Sequence, residues 1–295
     1  MSLNPVFTGV CTALVTPFTN DKVDLKALDA LIDRQIDAGV PALLICGTTG
    51  EPSTLTDDEW TLVLEHAVAH INGRAKVIAG TGSNNLSHTL KKAQIAKNLG
   101  ADAQLCVTPY YNKTTQPGLI AFFSHIADST SLPVILYNVP ARTGLTMDPG
   151  TVEKLSHHPN IIGIKEAGGS LNVMAAIMRS SPLPLYCGND ELNISALRLG
   201  AAGLISVLSN LIPDEVVRLH RDVLSGNIRT AEARQKALDP LIRALFIETS
   251  PVPVKQALAL LGCIQPDVRL PLVRMQTENL RILQTAMMEK GLLHT

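Results

Sequence analysis

Aromatic residues are scarce in this chain, 3% of 295 with one Trp and four Tyr, and charged residues make up only 17%. The charges nearly cancel, to a formal net charge of -1. A chain without a basic field has little with which to hold a phosphate backbone or an anionic bilayer. Nucleic acid and membrane surfaces are therefore not expected partners. No apolar run approaches the roughly 20 residues of a membrane-spanning helix, and no charged-then-apolar leader opens the chain, so the expected location is cytoplasmic. Five cysteines occur without a C-x-x-C spacing. Cys11, Cys46, Cys106 and Cys187 sit inside apolar runs, which suits reduced core residues better than disulfides or zinc ligands. Low-complexity segments, long charge runs and Ser/Gly linkers are also missing.

The 46% hydrophobic content is arranged in a repeating pattern. Short Val/Ile/Leu-rich runs alternate with amphipathic stretches eight times. The expected strands cover 9–17, 42–47, 76–82, 103–109, 134–140, 161–167, 183–188 and 203–209. They lack inside-outside alternation, as parallel strands buried on both faces do. Leu25, Leu28, Leu31, Ile32 and Ile36 share one helical face, as do Trp60, Val63, Leu64, Ala67 and Ile71. Eight such units predict an α/β fold, a closed (β/α)8 TIM barrel. A doubly wound open sheet is the alternative, but no Gly-x-Gly-x-x-Gly turn follows the first strand. Four helices are expected after the last strand, over 213–224, 228–247, 254–261 and 272–292. The expected organisation is a barrel over 1–225 carrying the active site and a C-terminal helical extension over 226–295.

The strand ends carry the chemistry in such a barrel. Ile161-Ile162-Gly163-Ile164-Lys165 leads a lysine to the end of a buried strand, where loss of hydration disfavours a charged amine. Every other lysine reads as part of a polar helix, a loop or a strand's first residue. A neutral amine attacks carbonyl carbon, so Lys165 is the candidate Schiff-base nucleophile; pairing with Glu166 or snorkelling out of the strand end is the bland alternative. Gly47-Thr48-Thr49-Gly50-Glu51 offers backbone N–H groups to a small carboxylate and hydroxyls to a proton relay. Tyr110, Tyr111 and Tyr137 crowd neighbouring strand ends despite the scarcity of aromatics, and Arg142 is placed to grip a carboxylate.

The same inventory limits the reaction. Without a histidine at any strand end, a metal-dependent aldolase lacks its imidazole ligands, and no metal or cofactor is expected. His66 and His70 read as a solvated helix face. Asn189-Asp190-Glu191 reads as a helix cap with first-turn acids rather than a cation site. The end of the eighth strand is not glycine-rich, which favours an unphosphorylated substrate. Together these features suit class I aldolase chemistry on a 2-oxo acid, with Tyr137 shuttling protons, helped by Thr48 and Tyr111.

The ordered motifs GTTGE, TPYYNK, YNVPARTG, GIKEAGG, GND and GLISV, between residues 47 and 207, resemble those of the dihydrodipicolinate synthase family. The resemblance runs nearly end to end. It implies condensation of pyruvate with L-aspartate 4-semialdehyde, on the route to diaminopimelate and lysine. It further implies Lys165 as Schiff-base lysine, Tyr137 as proton donor and acceptor, and Thr48 and Tyr111 as the relay. Tyr111 is then expected to cross a dimer contact into the neighbouring site. Thr49, Ile205 and Gly188 match pyruvate-binding positions, and Arg142 the arginine that holds the semialdehyde carboxylate. A homotetramer, a dimer of dimers, is implied as well. Sialic acid lyases and 2-keto-3-deoxy sugar acid aldolases share the lysine and tyrosine, but Arg142 and the second Thr of the turn favour the synthase. A non-catalytic barrel binding a 2-oxo acid is the reading from another class. At the family's feedback site Asn84 and Tyr110 fit, whereas Pro52, Ser53, Asp57, Trp60 and His88 depart, so inhibition by lysine is expected to be weak or absent.

Overall fold

The computed structural model describes residues 4–293. Eight parallel strands close into a barrel: β1 (Gly9–Ala13), β2 (Ala42–Ile45), β3 (Lys76–Gly80), β4 (Ala103–Val107), β5 (Val134–Asn138), β6 (Ile161–Glu166), β7 (Leu185–Cys187) and β8 (Gly203–Ser206). β1 closes the ring by pairing with β8 through Cys11 and Ile205, and with β2 through Cys11 and Ala42. All eight expected strands are present, each ending one to four residues before its expected limit. Leu14, Val15, Val139 and Leu208 stay buried after strand pairing has stopped. Their apolar character reports burial in the loops over the barrel mouth, not continuation of the ladder.

The helices are α1 (Leu25–Asp37), α2 (Asp57–Ile71), α3 (Leu86–Leu99), α4 (Gln116–Ser129), the single turn α5 (Pro140–Thr143), α6 (Pro149–Leu155), α7 (Leu171–Ser180), α8 (Asn193–Leu199) and α9 (Pro213–Leu224). Local chemistry fixes where several begin. The Thr56 hydroxyl accepts from Glu59 N at 3.1 Å while Glu59 Oε2 accepts from Thr56 N at 3.0 Å, a capping box that starts α2. Asp24, Asn85, Thr115 and Ser170 cap α1, α3, α4 and α7 with their side chains.

Two apolar layers result. Cys11, Leu44, Ile78, Leu105, Ile135 and Ile205 belong to the cluster that fills the barrel, and a larger cluster lies between strands and helices. Phe7 stacks on Tyr186 at 4.3 Å between ring centroids and occupies the same interior layer. His66 and His70 do not form a solvated face. They reach Asp29 on α1 at 2.7 and 3.2 Å, and so tie α1 to α2.

Beyond the barrel come α10 (Ile228–Leu245), α11 (Val252–Leu260) and α12 (Thr277–Glu289). The last helix begins five residues after the expected Leu272, because residues 261–276 form a loop that includes Pro266 and Pro271. Leu241, Leu258 and Leu283 join the same outer core as the barrel helices. No helix among the described residues is long and apolar enough to cross a membrane.

Candidate active site

Tyr137, Lys165 and Tyr186 stand side by side in register across β5, β6 and β7. Alternation along β6 sends Lys165 into the barrel and Glu166 outward. Glu166 is therefore no partner for the lysine: its two oxygens accept from Asn138 Nδ2 at 2.7 Å and Gly168 N at 2.6 Å. Burial raises the Glu166 carboxyl above its ordinary range, opposed by those two donors. Lysine ion pairs among the described residues are those of Lys76, Lys91, Lys255 and Lys290. Lys165, 6% exposed, instead places its Nζ 4.4 Å from the centre of the Tyr137 ring.

Gly188 flanks the lysine from β7. A Cβ there would lie 2.9 Å from Lys165 Cε and 2.6 Å from Ala167 Cβ, so only glycine leaves the lysine stem its course. Ile205 and Cys11 occupy the barrel interior beside this layer.

Above Tyr137 opens a cavity of about 300 Å³, lined by Thr48, Tyr110, Tyr137, Val139, Arg142 and Thr143 among others. Thr48 and Thr49 belong to one 3-10 turn, Thr48–Gly50, with Thr49 buried beneath it. Arg142 sits in α5, one turn after β5, and its Nη2 donates to the Ser250 carbonyl at 3.0 Å. Thr48, Tyr137 and Arg142 thus face one space, with Lys165 and Gly188 directly behind Tyr137. Tyr111 does not join them: it is 93% exposed and turned away by a φ of 67°. Tyr110, its neighbour, lines the cavity in its place.

Two features of the site differ from the sequence reading. Asn189 gives its short helix no side-chain cap, and Asp190, in the first turn as expected, turns its carboxylate to another loop. Its buried carboxylate accepts from Ser206 Oγ at 2.5 Å and from the N–H groups of Val207 and Leu208 at 3.0 and 3.1 Å, fixing the turn after β8. Burial raises its pKa, opposed by the same donors. The second feature is Lys255, which is 0% exposed on the apolar helix α11 rather than in a polar pattern. Its Nζ meets Glu51 Oε1 at 2.6 Å, both side chains being 1% exposed. Lys92 is also buried, at 8%, with its amine 5.1 Å from the Trp60 ring centre. The signal for Lys255 was its setting, Val-Pro-Val-Lys-Gln-Ala-Leu-Ala-Leu, and that for Glu51 its place at the end of a cavity-lining turn.

The dihydrodipicolinate synthetase family model matches residues 6–290. The chain belongs to that family. It is 49% identical over 273 residues to a 4-hydroxy-tetrahydrodipicolinate synthase of an Exiguobacterium species, covering 92% of this chain and 93% of the relative. A Thermoanaerobacter enzyme of the same name is 45% identical over 292 residues, covering 98% of each. Among solved structures, the dihydrodipicolinate synthase of Acinetobacter baumannii in complex with pyruvate superposes with a TM-score of 0.95 at 37% identity. That match covers 97% of this chain and all of the other. Lys165, Tyr137 and the Thr48–Gly50 turn lie at the C-terminal ends of their strands, the end of the barrel where this fold carries active sites.

Proposed function

We propose that the protein is a 4-hydroxy-tetrahydrodipicolinate synthase, a class I aldolase-type lyase of lysine biosynthesis, in which Lys165 forms the Schiff base. The observation that carries the assignment is a buried amine without a carboxylate partner, in register with Tyr137, behind a cavity that bears Thr48 and Arg142. Pyruvate, the ligand of the Acinetobacter baumannii structure, fits the chemistry of this end of the barrel.

Lys165 Nζ adds to the keto carbon, and loss of water gives a protonated imine. The imine draws electrons from the adjacent methyl group, which loses a proton to leave an enamine. The enamine carbon adds to the aldehyde of L-aspartate 4-semialdehyde, whose oxygen takes up a proton. The semialdehyde's amino group then attacks the imine carbon and expels Lys165 as the ring closes. Tyr137, beside the amine, moves the protons, with Thr48 and a partner subunit's tyrosine equivalent to Tyr111 completing the relay. Thr49, Ile205 and Gly188 shape the keto-acid position, and Arg142 holds the semialdehyde carboxylate by a charge-assisted pair. We read the working form as a cytoplasmic homotetramer, a dimer of dimers, and the outward Tyr111 supports its dimer contact.

Sodium borohydride with pyruvate tests the assignment. Reduction is expected to fix pyruvate on the Lys165 peptide, and turnover is expected to prefer the semialdehyde over N-acetylmannosamine and glyceraldehyde. An unmodified Lys165 would rule the mechanism out. Turnover only with a sugar aldehyde would move the chain to a sialic acid lyase or sugar acid aldolase activity.

Free lysine is expected to inhibit weakly or not at all. Asp57 is occupied by Lys91 at 2.7 Å and His88 at 3.0 Å, and Asn84 Nδ2 donates to the Tyr110 carbonyl at 3.2 Å, so these groups satisfy one another. Trp60 is fully buried on the same helix as Asp57, its indole N–H donating to the Gly80 carbonyl at 3.3 Å. Half-inhibition by submillimolar lysine in a rate titration would contradict this.

A further inference from the structure

The Thr48–Gly50 turn and Arg142 follow different strands, β2 and β5, and one C-terminal segment holds both. The Ser250 carbonyl accepts from Arg142 Nη2 at 3.0 Å, and five residues later Lys255 Nζ meets Glu51 Oε1 at 2.6 Å. Glu51 is the residue that closes the turn. Its N–H donates to the Thr48 carbonyl at 3.2 Å, and its backbone is left-handed, with φ 53° and ψ 44°. A residue with a side chain stays in that region only when its surroundings hold it there. The holding groups come from the far end of the chain: Glu51 Oε2 accepts from Arg269 N at 3.1 Å, and Lys255 Nζ stands 4.1 Å from the Phe18 ring centre.

We propose that Glu51 and Lys255 are positioning residues for the reaction. Their buried ion pair fixes the Thr48–Gly50 turn, and hence the backbone and hydroxyl groups that receive the keto acid, against the same 250–255 segment whose Ser250 carbonyl holds Arg142. The proposal rests on the synthase reading above. Neither residue touches a reacting atom; both act through the turn. A pair with a purely structural role would move stability and leave the response to pyruvate alone.

The variant Glu51→Gln/Lys255→Met removes both charges together and so avoids a lone buried ion. Glu51→Gln alone, which keeps a carbonyl acceptor for Lys255, is the milder companion if the double variant folds poorly. The KM for pyruvate is expected to rise on the order of tenfold in the double variant and less in the single, with a smaller change in kcat. Borohydride trapping at saturating pyruvate is still expected to label Lys165. A pyruvate KM within about twofold of the parent in the folded variants, with or without a fall in kcat or Tm, would overturn the proposal. A parent protein that pyruvate and borohydride fail to label would instead remove the synthase reading and the proposal with it.

Discussion

Lys165 and Lys255 are both buried amines, yet their surroundings are opposite. Lys255 is matched by a carboxylate at 2.6 Å and sealed from solvent, whereas Lys165 has the face of Tyr137 at 4.4 Å and a cavity beyond it. Desolvation lowers the Lys255 pKa, and the Glu51 charge opposes that shift. An amine neutralised by a buried partner has no reason to leave it, and a carbonyl ligand has no route to it. An amine with no carboxylate partner, next to an open space, can be reached by a carbonyl carbon. Lys92 is buried without a carboxylate as well, over the Trp60 ring, so it is the cavity next to Tyr137 that sets Lys165 apart.

Replacing each lysine with alanine breaks the comparison most sharply. Lys165→Ala is expected to lose activity by a factor of about 10⁴ or more, the scale on which removal of a covalent nucleophile acts. Its Tm should stay near that of the parent, since no ion pair is lost. Lys255→Ala is expected to reverse the pattern: it strands the Glu51 carboxylate, at a cost of about 3–5 kcal/mol, measurable as a shift in denaturant midpoint. Equal losses of activity and stability in the two variants would remove the distinction. Gly188→Ala comes next. Its new methyl would stand 2.9 Å from Lys165 Cε, so the lysine must move, and kcat/KM is expected to fall by roughly 10- to 100-fold in a folded protein. Unchanged kinetics would show that the amine tolerates displacement.

The barrel was readable from the chain because its signals are local and repeated. Buried parallel strands show as short apolar runs, and amphipathic helices separate them. Their ends were less readable, since Leu14, Val15 and Leu208 are as apolar in loops as residues within the ladder. Lys165 and the Thr48–Gly50 turn stood out because a charge ending an apolar run and a Gly-Thr-Thr-Gly turn are visible within a few residues. Lys255 did not, because what explains it is a glutamate 204 positions away. The clamp of His66 and His70 on Asp29 was hidden for the same reason, the partner lying on another helix. Tyr111 marks a different limit: its fully outward course depends on a φ of 67° that no spacing of residue types encodes.

The smallest expected effect concerns the ionic shell on the Lys255 side. The Arg269 guanidinium grips Glu59 at 2.6 and 2.7 Å and lies 4.4 Å from the Phe18 ring, whose other neighbour is Lys255 Nζ. The Arg269 hydrogen bonds hold Glu59 down from 4.5 to about 2, against some desolvation. A carboxyl depressed by folding contributes stability that is fully present above 4.5 and lost as the pH falls through about 2. Tm should therefore decline across that acid window, and Glu59→Gln should lower Tm at neutral pH while flattening the decline. Asp57, held to about 2 by Lys91 and His88, titrates in the same window, so the difference between variant and parent is the quantity to read. A quarter of the Glu59 side chain is exposed, which screens the pair and keeps the effect below that of Lys255→Ala. Identical acid profiles for variant and parent would show that Arg269 serves Phe18 and the Asp21 carboxylate rather than Glu59. In that case the contrast between the two lysines would rest on the Glu51 pair alone.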